Sequence, residues 1–331
     1  MNTGDFIFLS SRDVRNLLSV EECIAAVEEA FRLHGEGKAQ APGVLGIDID
    51  GGGFHIKAGL LDLRMRYFAA KVNGNFPGNP SHFGLPTIQG VIVLCDAEKG
   101  TPLAVMDSRD VTSFRTAAAT AVAARHLARP ASRTATICGC GEQARHQVRA
   151  LSHIFHLQSI FALDSNAERA TRFADELSSE LQLAITPGND LRSAVFESDI
   201  CVTCTASQQP VLCADDVQEG TFVAAVGADS PHKSEIHPAL MSKAKVVCDV
   251  LEQCAVMGDL HHALESGAMS RSDVYAELGC IVAGRKPGRE SDKEITIFDS
   301  TGMALQDVAA SAVVYERAVR QNAGVRLSLA A

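Results

Sequence analysis

Beyond Arg133 the chain alternates short apolar runs with longer amphipathic ones. The apolar runs fall at 133–138, 159–164, 183–186, 199–204, 221–227, 245–250 and 295–299, and helical runs separate most of them. Alternation of this kind predicts a parallel, doubly wound sheet of Rossmann type. The chain ahead of it reads differently. Ser19-x-x-Glu22 is a capping-box pattern that opens a helix with Ile24, Val27, Ala30 and Phe31 on one face. The glycine-rich segment 51–53 comes next. Strand-like runs follow at 54–57, 67–72, 88–95 and 103–106, the last two joined by the turn 96–100. This half predicts an antiparallel sheet with one or two helices, and its 73–86 stretch, rich in Asn, Gly and Pro, predicts a loop. After Gly302 a helical run from Met303 to Arg320 spaces Leu305, Val308, Ala309 and Val313 for one buried face and returns to the first domain. The expected fold class is α/β: a Rossmann domain at 126–302, and an α+β domain with an antiparallel sheet at 1–125 with 303–331.

One junction in the alternating half carries chemistry. Gly139-Cys140-Gly141-Glu142-Gln143-Ala144 follows the strand-like run 134–138 and precedes the helix-like run Arg145 to Ile154. The next apolar run, 159–163, ends in Asp164. A dinucleotide site requires this order: a glycine loop between strand and helix, then an acid about twenty residues on. Gly139 allows the tight turn, Gly141 the approach of a pyrophosphate and Ala144 close helix packing, while the helix start offers N–H groups to phosphate. Asp164 is placed to accept from ribose hydroxyls and to repel a 2′-phosphate, which favours NAD over NADP. Gly227-Ala228-Asp229 follows the run Phe222–Val226, at the carboxyl edge where open α/β sheets bind ligands. An acid there exchanges protons with an amine or imine, or merely caps a helix.

Arg115 falls in the first turn of the helical run Thr112–Val122, where the macrodipole disfavours a cation. It either grips a carboxylate with its guanidinium fork or pairs with Asp107 or Asp110. Lys57 and Lys71 end apolar runs, and position alone leaves each open between function and surface.

Composition narrows the partners. The 331 residues are 46% hydrophobic and 21% charged, with a formal net charge of −10 and no lysine–arginine block. This argues against nucleic acid and anionic membrane, though local cations can still hold a small anion. No run of about eighteen apolar residues predicts a membrane span, and the first residues form no secretory signal, so the expected compartment is the cytoplasm. Ten cysteines are scattered. Cys201-x-x-Cys204 lies in an apolar run without a second ligand pair, so no metal is expected.

The sequence resembles the ornithine cyclodeaminase/mu-crystallin family over nearly its whole length. The matching segments are Lys71 with Pro77 and Asn79, Thr112-x-x-Arg115-Thr116-Ala117-Ala118, Gly139-x-Gly141-x-Gln143-Ala144, and Gly227-x-Asp229 with Lys233-x-Glu235 and Pro238. Glu277-Leu278-Gly279 and Phe298-Asp299-Ser300-Thr301-Gly302 complete them. The resemblance implies that the 1–125 with 303–331 domain binds substrate and forms a homodimer. It implies NAD(P)-dependent chemistry at the α-carbon of a small α-amino or α-imino acid. Lys71 and Arg115 would grip the carboxylate, and Asp229, with Lys71, would serve the proton transfer. The 139–144 loop and Asp164 would hold NAD, with Thr112, Glu142, Gln143, Thr205, Val226 and Gly227 at further cofactor positions. The leading expectation is an imine reductase or amino-acid dehydrogenase. The alternatives are an ornithine or lysine cyclodeaminase using catalytic NAD, and a non-enzymatic binding protein of mu-crystallin type. Two departures bear on substrate. Members commonly carry an arginine near Pro42, and this chain has none between Arg32 and Arg64; Lys57 stands where many read Met and is expected to replace that cation. His55 occupies the place of a cyclodeaminase glutamate, which argues against the cyclodeaminase reading.

Overall fold

The structure is a computed structural model and describes residues 5–40 and 43–329. The chain divides into two compact units. One comprises the residues up to Arg115 together with those from Met303, and the other runs from Thr116 to Gly302. The boundary falls inside a continuous helix, Ser108–Leu127.

In the first unit the strands are β1 (Asp5–Leu9), β2 (Ala39–Gln40), β3 (Val44–Ile49), β4 (Gly52–Asp62), β5 (Arg66–Asn75), β6 (Ile88–Asp96) and β7 (Thr101–Asp107). β4 to β7 form an antiparallel meander, with β3 on β4 and β1 running parallel to β7. The pleat sorts the side chains. On β4 and β5 the residues Lys57, Gly59, Leu61, Tyr67, Ala69 and Lys71 are all buried, while Phe54, Phe68 and Val72 on the opposite face are exposed. The buried face packs on the last helix, Ala304–Gln321. Gly59 makes that approach possible: a Cβ there would stand 3.0 Å from Leu305 Cδ2. The sequence pattern missed β1 and β3. It also made β4 and β5 too short: the stretch read as a loop is strand to Asn75, followed by a short helix at Asn79–Phe83.

The second unit holds β8 (Thr134–Cys138), β9 (Ser159–Leu163), β10 (Ala184–Gly188), β11 (Ile200–Thr203), β12 (Phe222–Ala225), β13 (Lys245–Cys248), β14 (Ala276–Glu277) and β15 (Thr296–Asp299). All pairings are parallel, in the order β10-β9-β8-β11-β12-β15-β13-β14. The first five reproduce the 3-2-1-4-5 order of a Rossmann sheet, and the reversal between β8 and β11 is its ligand-binding switch point. β11, β12 and β15 are buried on both faces, which is why they read as unbroken apolar runs. The final strand β16 (Val325–Ser328) closes the first unit by pairing antiparallel with β1. Among the described residues no helix is long and apolar enough to cross a membrane.

Candidate active site

At the carboxyl ends of β8, β9 and β11 lies a groove of about 740 Å³, a size within the range of roughly 300–1,000 Å³ usual for small-ligand sites. Gly139, Gly141, Asp164, Arg169 and Thr205 are among its lining. Gly139 has φ +92°, and a Cβ on it would meet Cys204 O at 3.0 Å, so the turn admits only glycine comfortably. Gly141 caps the helix Glu142–Ile154 with no side-chain bond, and the space its Cβ would take is open. A helix start of this kind suits a phosphate. Asp164 turns one oxygen to the Cys140 N–H (2.8 Å) and the other to the Asn166 N–H (2.8 Å), binding the end of β9 to the glycine loop. Glu142, Gln143 and Ala144 lie in the first turn of the helix, outside the lining. Glu142 faces His146 at 3.5 Å and Ala144 is fully buried.

The turn after β12 carries Val226, Gly227 and Asp229. The Gly227 N–H donates to Glu235 (2.7 Å), and Asp229 is ion-paired with Lys233 at 2.6 Å while keeping 36% of its side chain exposed. Thr205, after β11, donates to the same Glu235 carboxylate.

The first unit gathers the cations. Lys57 and Lys71 stand directly opposite each other on β4 and β5, both pointing inward. Lys71 Nζ lies 2.9 and 2.8 Å from the two oxygens of Asp307, in the first turn of the last helix, and 3.3 Å from Thr112 Oγ1. The Arg115 Nε donates to Asp307 at 3.1 Å and its Nη1 to Gln306 Oε1 at 3.0 Å. Neither alternative partner takes Arg115: Asp107 holds Arg109 and Asp110 holds Arg15. Thr112, expected beside the cofactor, has its hydroxyl on Lys71. His55 is half-buried two residues before Lys57, opposite Asn73, whose amide oxygen accepts from Ser108 (2.6 Å). The 41–42 position, where the resemblance expects an arginine, lies outside the described residues.

Electrostatics follow from the burial. Desolvation pushes Lys71 down to about 7; Asp307 opposes this, and the Arg115 and Lys57 charges add to it. Desolvation also works to raise Asp307, but Lys71, Arg115 and Lys57 outweigh it and hold the carboxyl below its ordinary range. The cluster thus offers a guanidinium, a buried lysine and an ammonium that gains or loses its proton near neutrality. These are the groups needed to bind a carboxylate and exchange a proton beside it. Asp307 and Gln306 were not found from the sequence. The helix that carries them is buried all round over Ala304–Ala312, so no solvent face is left for an acid and an amide, a tertiary fact that the local sequence pattern does not record.

Fold and site together define a Rossmann-type protein joined to a unit that carries a buried cationic cluster. The family model of the ornithine cyclodeaminase/mu-crystallin family matches residues 5–322. The chain belongs to that family. It is 40% identical to the alanine dehydrogenase of Archaeoglobus fulgidus over 97% of this chain and 98% of that protein. Among solved structures it superposes on an archaeal alanine dehydrogenase dimer with bound NAD at a TM-score of 0.94, with 39% identity, 98% of this chain and 99% of that one covered. The Thermococcus litoralis Δ1-pyrroline-2-carboxylate reductase, in complex with NADH and L-proline, also gives 0.94, at 33% identity and with 97% and 99% covered.

Proposed function

We propose that this protein is an NAD(H)-dependent oxidoreductase that acts at the α-carbon of a small α-imino or α-amino acid. The observation that carries the reading is the convergence of Lys71 and Arg115 on one buried carboxylate, with Lys57 opposite Lys71, in a family whose similar members are an alanine dehydrogenase and an imino-acid reductase. The open Gly141 and the uncapped helix start fit the pyrophosphate of NAD, and Asp164 at the groove fits its ribose.

Bound NADH supplies the hydride. The rest falls to the chain's own side chains. Lys71, Arg115 and Lys57 fix the α-carboxylate and so set the distance and angle at the α-carbon. Asp229, ion-paired with Lys233, relays a proton from solvent to the imine nitrogen, which makes the α-carbon a better hydride acceptor. Lys71, poised near neutrality, supplies the second proton, which converts the product amine to its ammonium form. Running backwards, the same groups serve an amino-acid dehydrogenase.

We further infer a homodimer in the cytoplasm. The face of the antiparallel sheet turned away from the last helix exposes Leu45, Ile47, Phe54, Phe68, Val72 and Val91. An apolar patch of that kind marks an association surface, and a second copy of this chain covers it. Free cysteines suit a reducing compartment.

The test is a substrate panel followed through NADH absorbance: L-alanine with NAD, and Δ1-pyrroline-2-carboxylate, pyruvate with ammonia, and oxaloacetate with ammonia, each with NADH. Stoichiometric oxidation or reduction of the cofactor with one of these is expected. Ornithine yielding proline and ammonia over many turnovers without NADH accumulation would replace the reading with a cyclodeaminase. Tight NADH binding with no turnover of any substrate would replace it with a binding protein.

A further inference from the structure

We propose that Glu235 is a positioning residue that locks the turn after β11 to the turn after β12, so that one buried carboxylate sets both the cofactor seat and the segment bearing Asp229. The inference rests on the reading above, in which Thr205 lines the NAD groove and Asp229 moves the proton.

Glu235 is fully buried. Its Oε1 accepts from the Thr205 N–H at 2.6 Å and the Thr205 hydroxyl at 2.7 Å. Its Oε2 accepts from the Thr203 hydroxyl at 2.8 Å and the Gly227 N–H at 2.7 Å. Four donors thus meet the roughly four lone-pair sites of an ionised carboxylate. A protonated or amide side chain in the same place would have to give up at least one of them. Two of the donors belong to Thr205, in the groove wall. A third belongs to Gly227, two residues before Asp229. The turns are pressed together at this point: a Cβ on Gly227 would lie 2.4 Å from Thr205 O and 2.6 Å from the Glu235 carboxylate. Glycine is therefore required at 227 by close approach, not by its φ.

The carboxylate is itself held from behind. Asp259 Oδ1 accepts from the backbone N–H groups of Glu235 (2.7 Å) and Ile236 (2.9 Å). The N–H groups of Asp259 (3.3 Å) and Leu260 (2.9 Å) donate in turn to Asp299, at the end of β15. A line of buried carboxylates therefore runs from the sheet edge to the two turns. Charge-assisted bonds to backbone N–H groups are directional as well as strong, which is what positioning demands.

The test compares the full-length wild type with Glu235→Gln, Gly227→Ala and Thr203→Val. NADH dissociation constants are read by fluorescence, and kcat and KM are measured with the panel substrate turned over fastest. Glu235→Gln is expected to raise the NADH dissociation constant about tenfold, as loss of one charge-assisted bond would, and to lower kcat. The KM for the amino or imino acid, set by the separate Lys71–Arg115 cluster, is expected to stay within about twofold, a split that general loss of structure would not give. Gly227→Ala, which forces the turns apart with the carboxylate intact, should reproduce the split, and the double variant should be less than additive. Should Glu235→Gln fail to fold, Thr203→Val, which removes one donor away from the groove, should give a weaker form of the same split. Folded variants with unchanged NADH affinity and kcat would overturn the proposal, as would parallel changes in all constants. A wild type that binds no NADH would instead sink the functional reading on which it rests.

Discussion

Two buried charge centres solve the same problem in opposite ways. Around Asp307, one carboxylate is bonded to Lys71 and Arg115, with Lys57 opposite Lys71. Around Glu235, Asp259 and Asp299, carboxylates lie together and are held by backbone N–H and hydroxyl groups, with one Asp259 oxygen left without a partner. Counter-charge leaves a centre fragile to loss of either partner, since the remaining ion is stranded in low dielectric. Satisfaction by N–H groups leaves it sensitive to protonation, because acids crowd one another. The first arrangement suits a site that must accept an external anion. The second suits one that must hold backbone turns still.

The largest effect is expected at Asp307. Asp307→Asn strands two buried cations and should cost about 3–5 kcal/mol of stability, measured by urea denaturation. It should also lower the Lys71 pKa further, since Asp307 is the group that raises it. A loss under about 1 kcal/mol would show that the cations are satisfied without it. Next comes Arg115→Met, which removes the guanidinium fork and should lower kcat/KM about 100-fold, mainly through KM for the carboxylate substrate. An unchanged KM would remove Arg115 from substrate binding.

The contrast also explains what the sequence disclosed. Parallel strands buried on both faces are continuous apolar runs, so β11, β12 and β15 stood out. The helical runs between them also marked β8, β9, β10 and β13, and with them the glycine loop and Asp164. β14, only two residues long, carries no period to read. β3 was hidden because Gly46 and Asp48 interrupt Leu45, Ile47 and Ile49, which face outward and leave no buried half to show alternation. Lys71 and Arg115 could be named, but position alone left Lys71 open between function and surface and Arg115 open between a carboxylate grip and an ion pair with Asp107 or Asp110. Only the pairing in space showed that they share an acid, 236 residues from Lys71 and 192 from Arg115 in the chain. Asp307 itself looked like one polar position of an amphipathic helix. That helix is buried all round at its start, a tertiary fact that no local pattern records.

Lys57 sharpens the first centre at a smaller scale. It is buried opposite Lys71, and its charge acts on both Lys71 and Asp307. If it replaces the cation that other members place near position 42, Lys57→Met should raise KM for the carboxylate substrate about tenfold, the value of one charged hydrogen bond, and leave NADH affinity alone. An unchanged KM removes it from the site.

A last test separates the two centres by the sign of their pH dependence. Burial raises Asp259 to about 7, helped by the Glu235 charge, against an ordinary 3.8. Between those values the folded state binds more protons than the unfolded one, so stability falls as pH rises from about 4 to about 7, with this one group contributing at most about 1.4 kcal/mol per unit. Lys71 works the other way. Its pKa of about 7, against 10.5 unfolded, means that the unfolded state binds the extra proton above pH 7, so stability rises there. Asp259→Asn keeps an acceptor for the Glu235 and Ile236 N–H groups and puts an amide where Oδ2 has no partner. It should make the limb below pH 7 shallower, since burial raises Glu235 and Asp299 as well, and leave the limb above it. Lys71→Met should do the reverse. Urea midpoints of the three proteins between pH 4.5 and 9.5 decide the matter: if both variants change the same limb, the two centres are not the independent charge systems that their bonding implies.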